Sequence, residues 1–290
     1  MTPREAFLRA CALDVAVRKP GNVSLDAPGH GMQAAQFITS AAVAADALCA
    51  HGASVGSRIE TAVQATRAAV GCNTNLGILL LCAPIARAAE DGSIPLRPAI
   101  EAVLAGLTVA DAAAAYRGIA LAQPGGLGQA QQQDVHQPPT VDLRAAMALA
   151  AEHDRIARQY RDGFAELFDL ALPALPSGFS LPSLAPGSRP DAATVAAVQA
   201  LYLLLLASRP DSHIVRKQGP AVAQNVMAAA QDWRARDAAA TALDTDPAFA
   251  AWDAALKASG VNPGTTADLT VASLMLAGLL QPQRPRWHGS

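Results

Sequence analysis

Alanine dominates the apolar half of this chain, and that bias restricts the fold more than any motif does. Alanine loses least on entering a helix, whereas strands favour β-branched and aromatic residues. Aromatic residues make up only 4% of the 290 residues, while apolar residues make up 51%. The apolar positions recur at helical spacing between short breaks rich in Pro, Gly and Asn. The pattern predicts an all-α protein, a single-domain multi-helical bundle spanning residues 1–290. With 16% charged residues, the chain has enough apolar surface for a large core.

Helices are expected at about 3–17, 33–51, 55–70, 75–90, 98–107 and 109–122. Thr2 and Glu5 form a capping-box start for the first, and Pro84 predicts a kink in the fourth. A long polar loop covers 123–140, followed by the longest helix, 143–170. Residues 171–191 hold five prolines and read as a Pro-rich internal loop rather than a domain boundary. Further helices are expected at about 191–207, 212–231, 247–259 and 265–280, with a frayed tail over 281–290.

The charge balance excludes some functions. A formal net charge of −2 offers no basic excess for a nucleic-acid backbone. Charges at Arg4, Glu5, Arg9 and Asp14 interrupt any signal-peptide core, and the longest apolar run, 195–207, is too short to span a bilayer. A cytoplasmic protein without a membrane partner is expected. Cys11, Cys49, Cys72 and Cys82 form no CxxC pair and read as reduced, buried thiols. Walker, HExxH, GxSxG and strand-associated GxGxxG motifs are all missing.

Chemistry is concentrated in segments where polar residues precede an apolar helix. Helix N-termini carry unpaired N–H groups and partial positive charge, which suits them to phosphate. Gly71-Cys72-Asn73-Thr74-Asn75-Leu76-Gly77 combines backbone freedom with two amide side chains. Capping by Asn73 or Thr74 accounts for only part of it. In Asp211–Gly219, Asp211 or Ser212 caps a helix on which His213, Arg216 and Lys217 share one face. Three potentially cationic groups so placed suit an anion, although a solvated basic face is the plainer reading. Thr265 and Asp268 read as a capping pair beside Asn262-Pro263-Gly264. Lys19-Pro20-Gly21-Asn22-Val23-Ser24 is an ordinary turn or a ligand loop. Residues 152, 155, 158, 161 and 162 suggest an ion-paired surface on the long helix, with Asp154 standing out as a metal ligand or general base.

The order of these segments, from Lys19 to Leu280, resembles the triphosphoribosyl-dephospho-CoA synthases of the CitG/MdcB type. The pieces that carry the resemblance are KPGNVS (19–24), GCNTNLG (71–77), PGGLG with the later Asp134-Val135, EHDRIARQY (152–160), DSHIVRKQG (211–219) and NPGTTADL (262–269). The resemblance implies an all-helical transferase that joins the triphosphoribosyl group of ATP to 3′-dephospho-CoA and expels adenine, with Mg²⁺ on the triphosphate. It further implies that Lys19, Arg216 and Lys217 clamp phosphates, that Asn73 and Asn75 hold ribose or adenine, that Asp154 and Asp211 bind Mg²⁺ or act as base, and that His213 protonates adenine. Asn22, Ser24, Thr74, Asn262 and Asp268 complete the expected substrate-binding set, and a homodimer is compatible with it. Citrate- and malonate-pathway members tend to carry His-Lys where this chain has Asn75-Leu76, which is closer to a subgroup from archaea and C1 metabolism. That difference leaves room for another acceptor in C1-carrier biosynthesis. A helical nucleotide-binding scaffold and a hydrolase of N-glycosidic bonds are the competing classes.

Overall fold

The computed structural model describes residues 1–126, 128, 132–185, 187–237 and 242–281. Its first turn follows from local chemistry: the Thr2 side chain accepts the Glu5 N–H, Glu5 bonds back to the Thr2 backbone, and Pro3 opens α1 (Pro3–Ala16). There follow α2 (Ala34–Leu48), α3 (Val55–Val70), α4 (Leu76–Ala88), α5 (Leu96–Ala105), α6 (Val109–Ala122), α7 (Leu143–Ala150) and α8 (Arg155–Arg161). A π-helical turn, Leu167–Ala171, leads into the short α9 (Leu172–Ala174). The second half holds α10 (Ala192–Ser208), α11 (Ser212–Gln218), α12 (Pro220–Asp237), α13 (Pro247–Ala258) and α14 (Gly264–Leu280). The described residues contain no β-strand, so the all-α expectation holds. The expected frayed tail lies outside the described residues except for Gln281. No single described helix is long and apolar enough to cross a membrane.

Two helices are apolar on nearly every side and therefore sit inside the others. These are α4, buried from Ile78 to Ala86, and α14, buried through Leu269–Leu276. Around them α1 packs on α2 and α14, α3 lies between α2 and α6, and α10 lies against α12 and α14. The contact of α3 with α6 requires glycine. A Cβ on Gly56 would lie 2.3 Å from the Asp111 carbonyl oxygen, and the Gly56 N–H donates to Asp111 Oδ1 at 2.8 Å. A second apolar cluster gathers Trp233 and Phe249 from α12 and α13. It joins the main core through α10, which gives Leu201 and Leu205 to one and Tyr202 and Leu206 to the other.

Pro84 lies within α4 and removes the amide that would bond the Leu80 carbonyl. The hydroxyl of Tyr160 donates to that carbonyl instead, at 2.6 Å. A proline in one helix thus supplies the docking point for another, and α4 runs through it as one element.

Two expected long helices are broken. The span 143–170 divides at 151–154, where Asp154 becomes the N-cap of α8, accepting from Ile156 N and Ala157 N. The span 212–231 divides at Gly219, because Pro220 cannot continue α11 and instead opens α12. The surface reading of Arg155 is also corrected. Its side chain is 2% exposed and pairs with Glu166, while also donating to the Leu205 carbonyl and Ser208 Oγ at 2.8 Å. The pairs of Glu152 with Arg158 and Arg161 do lie at the surface.

Arg155 therefore joins the start of α8 to the end of α10. Replacing it with alanine leaves Glu166 largely buried without its cation, which costs about 3–5 kcal/mol. Urea unfolding of R155A is expected to show that loss, and a change under about 1 kcal/mol would contradict the assignment.

Candidate active site

Four helices begin around one cleft of about 1190 Å³. Its lining includes Asn75 and Gly77 at the start of α4, Asp154 and Ile156 at the start of α8, Ser212 and His213 of α11, and Gly264 and Thr265 of α14. Side chains tie these starts together. Ser212 Oγ accepts the Arg155 N–H at 2.9 Å, joining α8 to α11. Asp211 joins α11 to α14: Oδ1 accepts His213 N and Ile214 N at 2.8 and 3.1 Å, and Oδ2 accepts Thr266 N and Thr266 Oγ1, both at 2.7 Å. Gly77 lets α4 approach α14, since a Cβ there would lie 2.0 Å from Asp268 Oδ2. The unexplained glycine of the 71–77 segment exists for this contact.

Asp268, at this contact, also faces the cleft. Its half-buried carboxylate lines the cleft and, among the described residues, has no hydrogen bond or ion pair. Burial drives its pKa well above the usual carboxylate range, repulsion from Asp14, Asp211 and Asp154 adds to this, and Arg216 opposes it. Asp268 does not cap α14, whose N-cap is Pro263, so the expected Thr265–Asp268 capping pair is not formed.

Other expected residues divide between the cleft and the structure behind it. Asp211 is fully buried, does not line the cleft, and has both oxygens occupied. This corrects its expected role as base or metal ligand: it is a clasp between helices. Lys19 is likewise fully buried. Its ammonium lies 3.0 Å from Asp14 Oδ1 and also bonds the Asp14 carbonyl, so it neutralises a cleft carboxylate and does not reach a phosphate. Ser24 is buried away from the cleft.

Asn22, Asn73, Thr74, Asn75, Asp154, His213, Arg216, Lys217, Asn262 and Asp268 all line the cleft. Asn73 Oδ1 accepts Leu76 N at 3.1 Å, and Thr74 Oγ1 donates to Ser40 Oγ at 2.6 Å, so these two shape the loop. Asn22 Nδ2 donates to Asn262 Oδ1 at 3.2 Å, leaving Asn22 Oδ1 buried without a partner. Asn75 Nδ2 is buried and, among the described residues, equally unpartnered. Such groups are costly unless a ligand completes them. The Asn22 loop is held from behind: Asp253 Oδ1 accepts Gly21 N, and the Tyr202 hydroxyl donates to the Pro20 carbonyl, both at 2.8 Å.

On α11, Arg216 Nε donates to the Gly125 carbonyl at 3.0 Å, and its guanidinium lies 3.7 Å from Asp154 Oδ2. The shared face therefore looks onto the cleft and its 123–126 rim. His213 is held down at about 4 by burial and by the charges of Lys217, Arg216 and His30. It is neutral near pH 7 in the free chain. Its buried Nε2 has no partner among the described residues. Among the described residues, no three His, Cys, Asp or Glu side chains could hold a metal ion by themselves. Asp154 Oδ2, facing the Arg216 guanidinium and with no hydrogen bond among the described residues, would hold a divalent ion whose other ligands are phosphate and water.

Asp14, His30, Arg67 and Tyr116 also line the cleft and were not singled out from sequence. An acid amid the apolar residues of α1, five positions before Lys19, was a readable signal for Asp14. Arg67 reads as an ordinary cation in the last turn of a helix.

Comparison with known proteins agrees with this geometry. No curated protein matches the sequence. A solved structure from Archaeoglobus fulgidus, described as a triphosphoribosyl-dephospho-CoA synthase, superposes with a TM-score of 0.63 at 25% identity. The match covers 83% of this chain and 99% of that one. The family model for ATP:dephospho-CoA triphosphoribosyl transferase matches residues 1–286. With the whole helical array and its cleft inside that match, the chain belongs to the CitG family of transferases.

Proposed function

We propose that the cleft moves the triphosphoribosyl group of ATP onto a ribose hydroxyl of 3′-dephospho-CoA and releases adenine, in the cytoplasm, as a step in prosthetic-group synthesis. The observation that carries this reading is the unpartnered Asp268 carboxylate in a cleft that also holds Arg216 and Lys217. The acceptor oxygen bonds to C1′ of the ATP ribose while the bond from C1′ to the adenine nitrogen breaks. Asp268 takes the hydroxyl proton, and the departing adenine nitrogen needs one proton, so the net reaction consumes neither acid nor base. A carboxylate beside the anomeric carbon also stabilises the positive charge that develops there. Arg216 and Lys217 hold the triphosphate, and the open amides of Asn22 and Asn75 bind sugar or base. Neutral His213 contributes hydrogen bonds. Asp154 would hold Mg²⁺, which spreads the charge of the triphosphate.

Chromatography of ATP, Mg²⁺ and protein mixtures is expected to show adenine release that depends on 3′-dephospho-CoA. Release without any acceptor would favour the hydrolase. ATP binding without release would favour the scaffold or, if another hydroxyl restores release, a C1-carrier acceptor.

Two substitutions separate chemistry from architecture. As a general base, Asp268 is expected to account for about 10²–10⁴ in turnover, measured on D268N. The folded free chain holds the Asp268 proton at higher pH than the unfolded chain does. Its stability therefore falls as pH rises from about 4 through the folded value. D268N should remove that fall and melt higher than the parent at pH 7 in calorimetry without ligands. D211N faces the Thr266 donors with an amide and should lose about 1–3 kcal/mol of stability. A D268N enzyme with parental turnover, or a D211N chain as stable as the parent, would reverse these roles.

A further inference from the structure

The cleft exceeds the roughly 300–1,000 Å³ of a site built for one small ligand. Its two walls differ in chemistry. One carries Asp154, His213, Arg216, Lys217 and Asp268 from α8, α11 and α14. The other presents Phe37, Tyr116, Ile119, Met147 and Leu149 from α2, α6 and α7, with a single cation among them, Arg67 of α3.

Arg67 is half-buried and, among the described residues, has neither an ion pair nor a side-chain hydrogen bond. By contrast Arg87, in the last turn of α4, pairs with Glu90. Arg67 enters the cleft from α3, whereas Arg216 and Lys217 enter it from α11. ATP has one polyphosphate, and the α11 face accounts for it. An unpaired cation beside an apolar stretch of wall calls for a second phosphate-bearing ligand with a long apolar part. Leu149, 53% exposed, lengthens the apolar surface of that wall.

Resting on the proposed function, we infer that Arg67 binds the diphosphate of the acceptor, whose apolar arm lies along Phe37, Ile119 and Met147, making the wall of α2, α3, α6 and α7 the acceptor subsite. The acceptor class so recognised is a nucleoside diphosphate ester bearing a long chain. Its hydroxyl end then points across the cleft toward Asp268.

Isothermal titration of the full chain with 3′-dephospho-CoA and with ATP, for wild type and R67Q, tests the subsite. R67Q should bind dephospho-CoA about tenfold to a hundredfold more weakly, with ATP affinity unchanged within about twofold. R67K should recover part of the loss, and adenosine, which lacks the diphosphate, should not distinguish R67Q from wild type. Parental dephospho-CoA affinity in R67Q, an equal loss for ATP, or no dephospho-CoA binding by wild type would overturn the assignment. Adenine release that still depends on dephospho-CoA in R67Q, with parental affinity for it, would remove the subsite and leave the proposed function standing.

Discussion

The Asp211 carboxylate accepts two hydrogen bonds from the first turn of α11 and two from Thr266 of α14, and the cleft depends on that clasp. Without it, the starts of the two helices have no shared anchor. Ser212, the next residue, carries the tie onward to α8, and Gly77 brings α4 against Asp268. Four helix N-termini are thereby held around one space, their first turns capped by Asn73, Asp154 and Asp211. The side chains that face this space, Arg216 and Lys217 among them, therefore decide what it can bind.

The same convergence concentrates negative side chains. Asp14, Asp154, Asp211 and Asp268 act on one another, and the protein handles each differently. Lys19 neutralises Asp14 from behind, and hydrogen bonds satisfy Asp211. Arg216 faces Asp154, while Asp268 is left without a partner. An unpaired carboxylate in a half-buried setting is costly to stability and suited to accepting a proton, which is the usual exchange at a catalytic position.

Much of this was legible in the sequence. Alanine-rich helical periodicity predicted the all-α class, and polar groups preceding apolar helices marked the α4, α11 and α14 starts. Residue type did not reveal burial. Lys19 and Asp211 read as ligands because charge signals chemistry, but whether a charge faces a substrate or a neighbouring helix depends on packing between distant segments. Arg155 was misplaced for the same reason. The break at 151–154 was hidden because good helix formers stand on both sides, and Asp154 becomes a cap only when α8 turns toward α11. Arg67 was invisible because a lone cation in a last turn is ordinary until the opposite wall of a cleft is seen.

The central claim is that an intact triphosphoribosyl group crosses this cleft. The most direct measurement is the mass of 3′-dephospho-CoA after incubation with ATP, Mg²⁺ and the protein. The account predicts an acceptor heavier by one ribose triphosphate unit, formed in equal amount with adenine. An unchanged acceptor beside free ribose triphosphate, or a phosphorylated acceptor beside ADP, would contradict it.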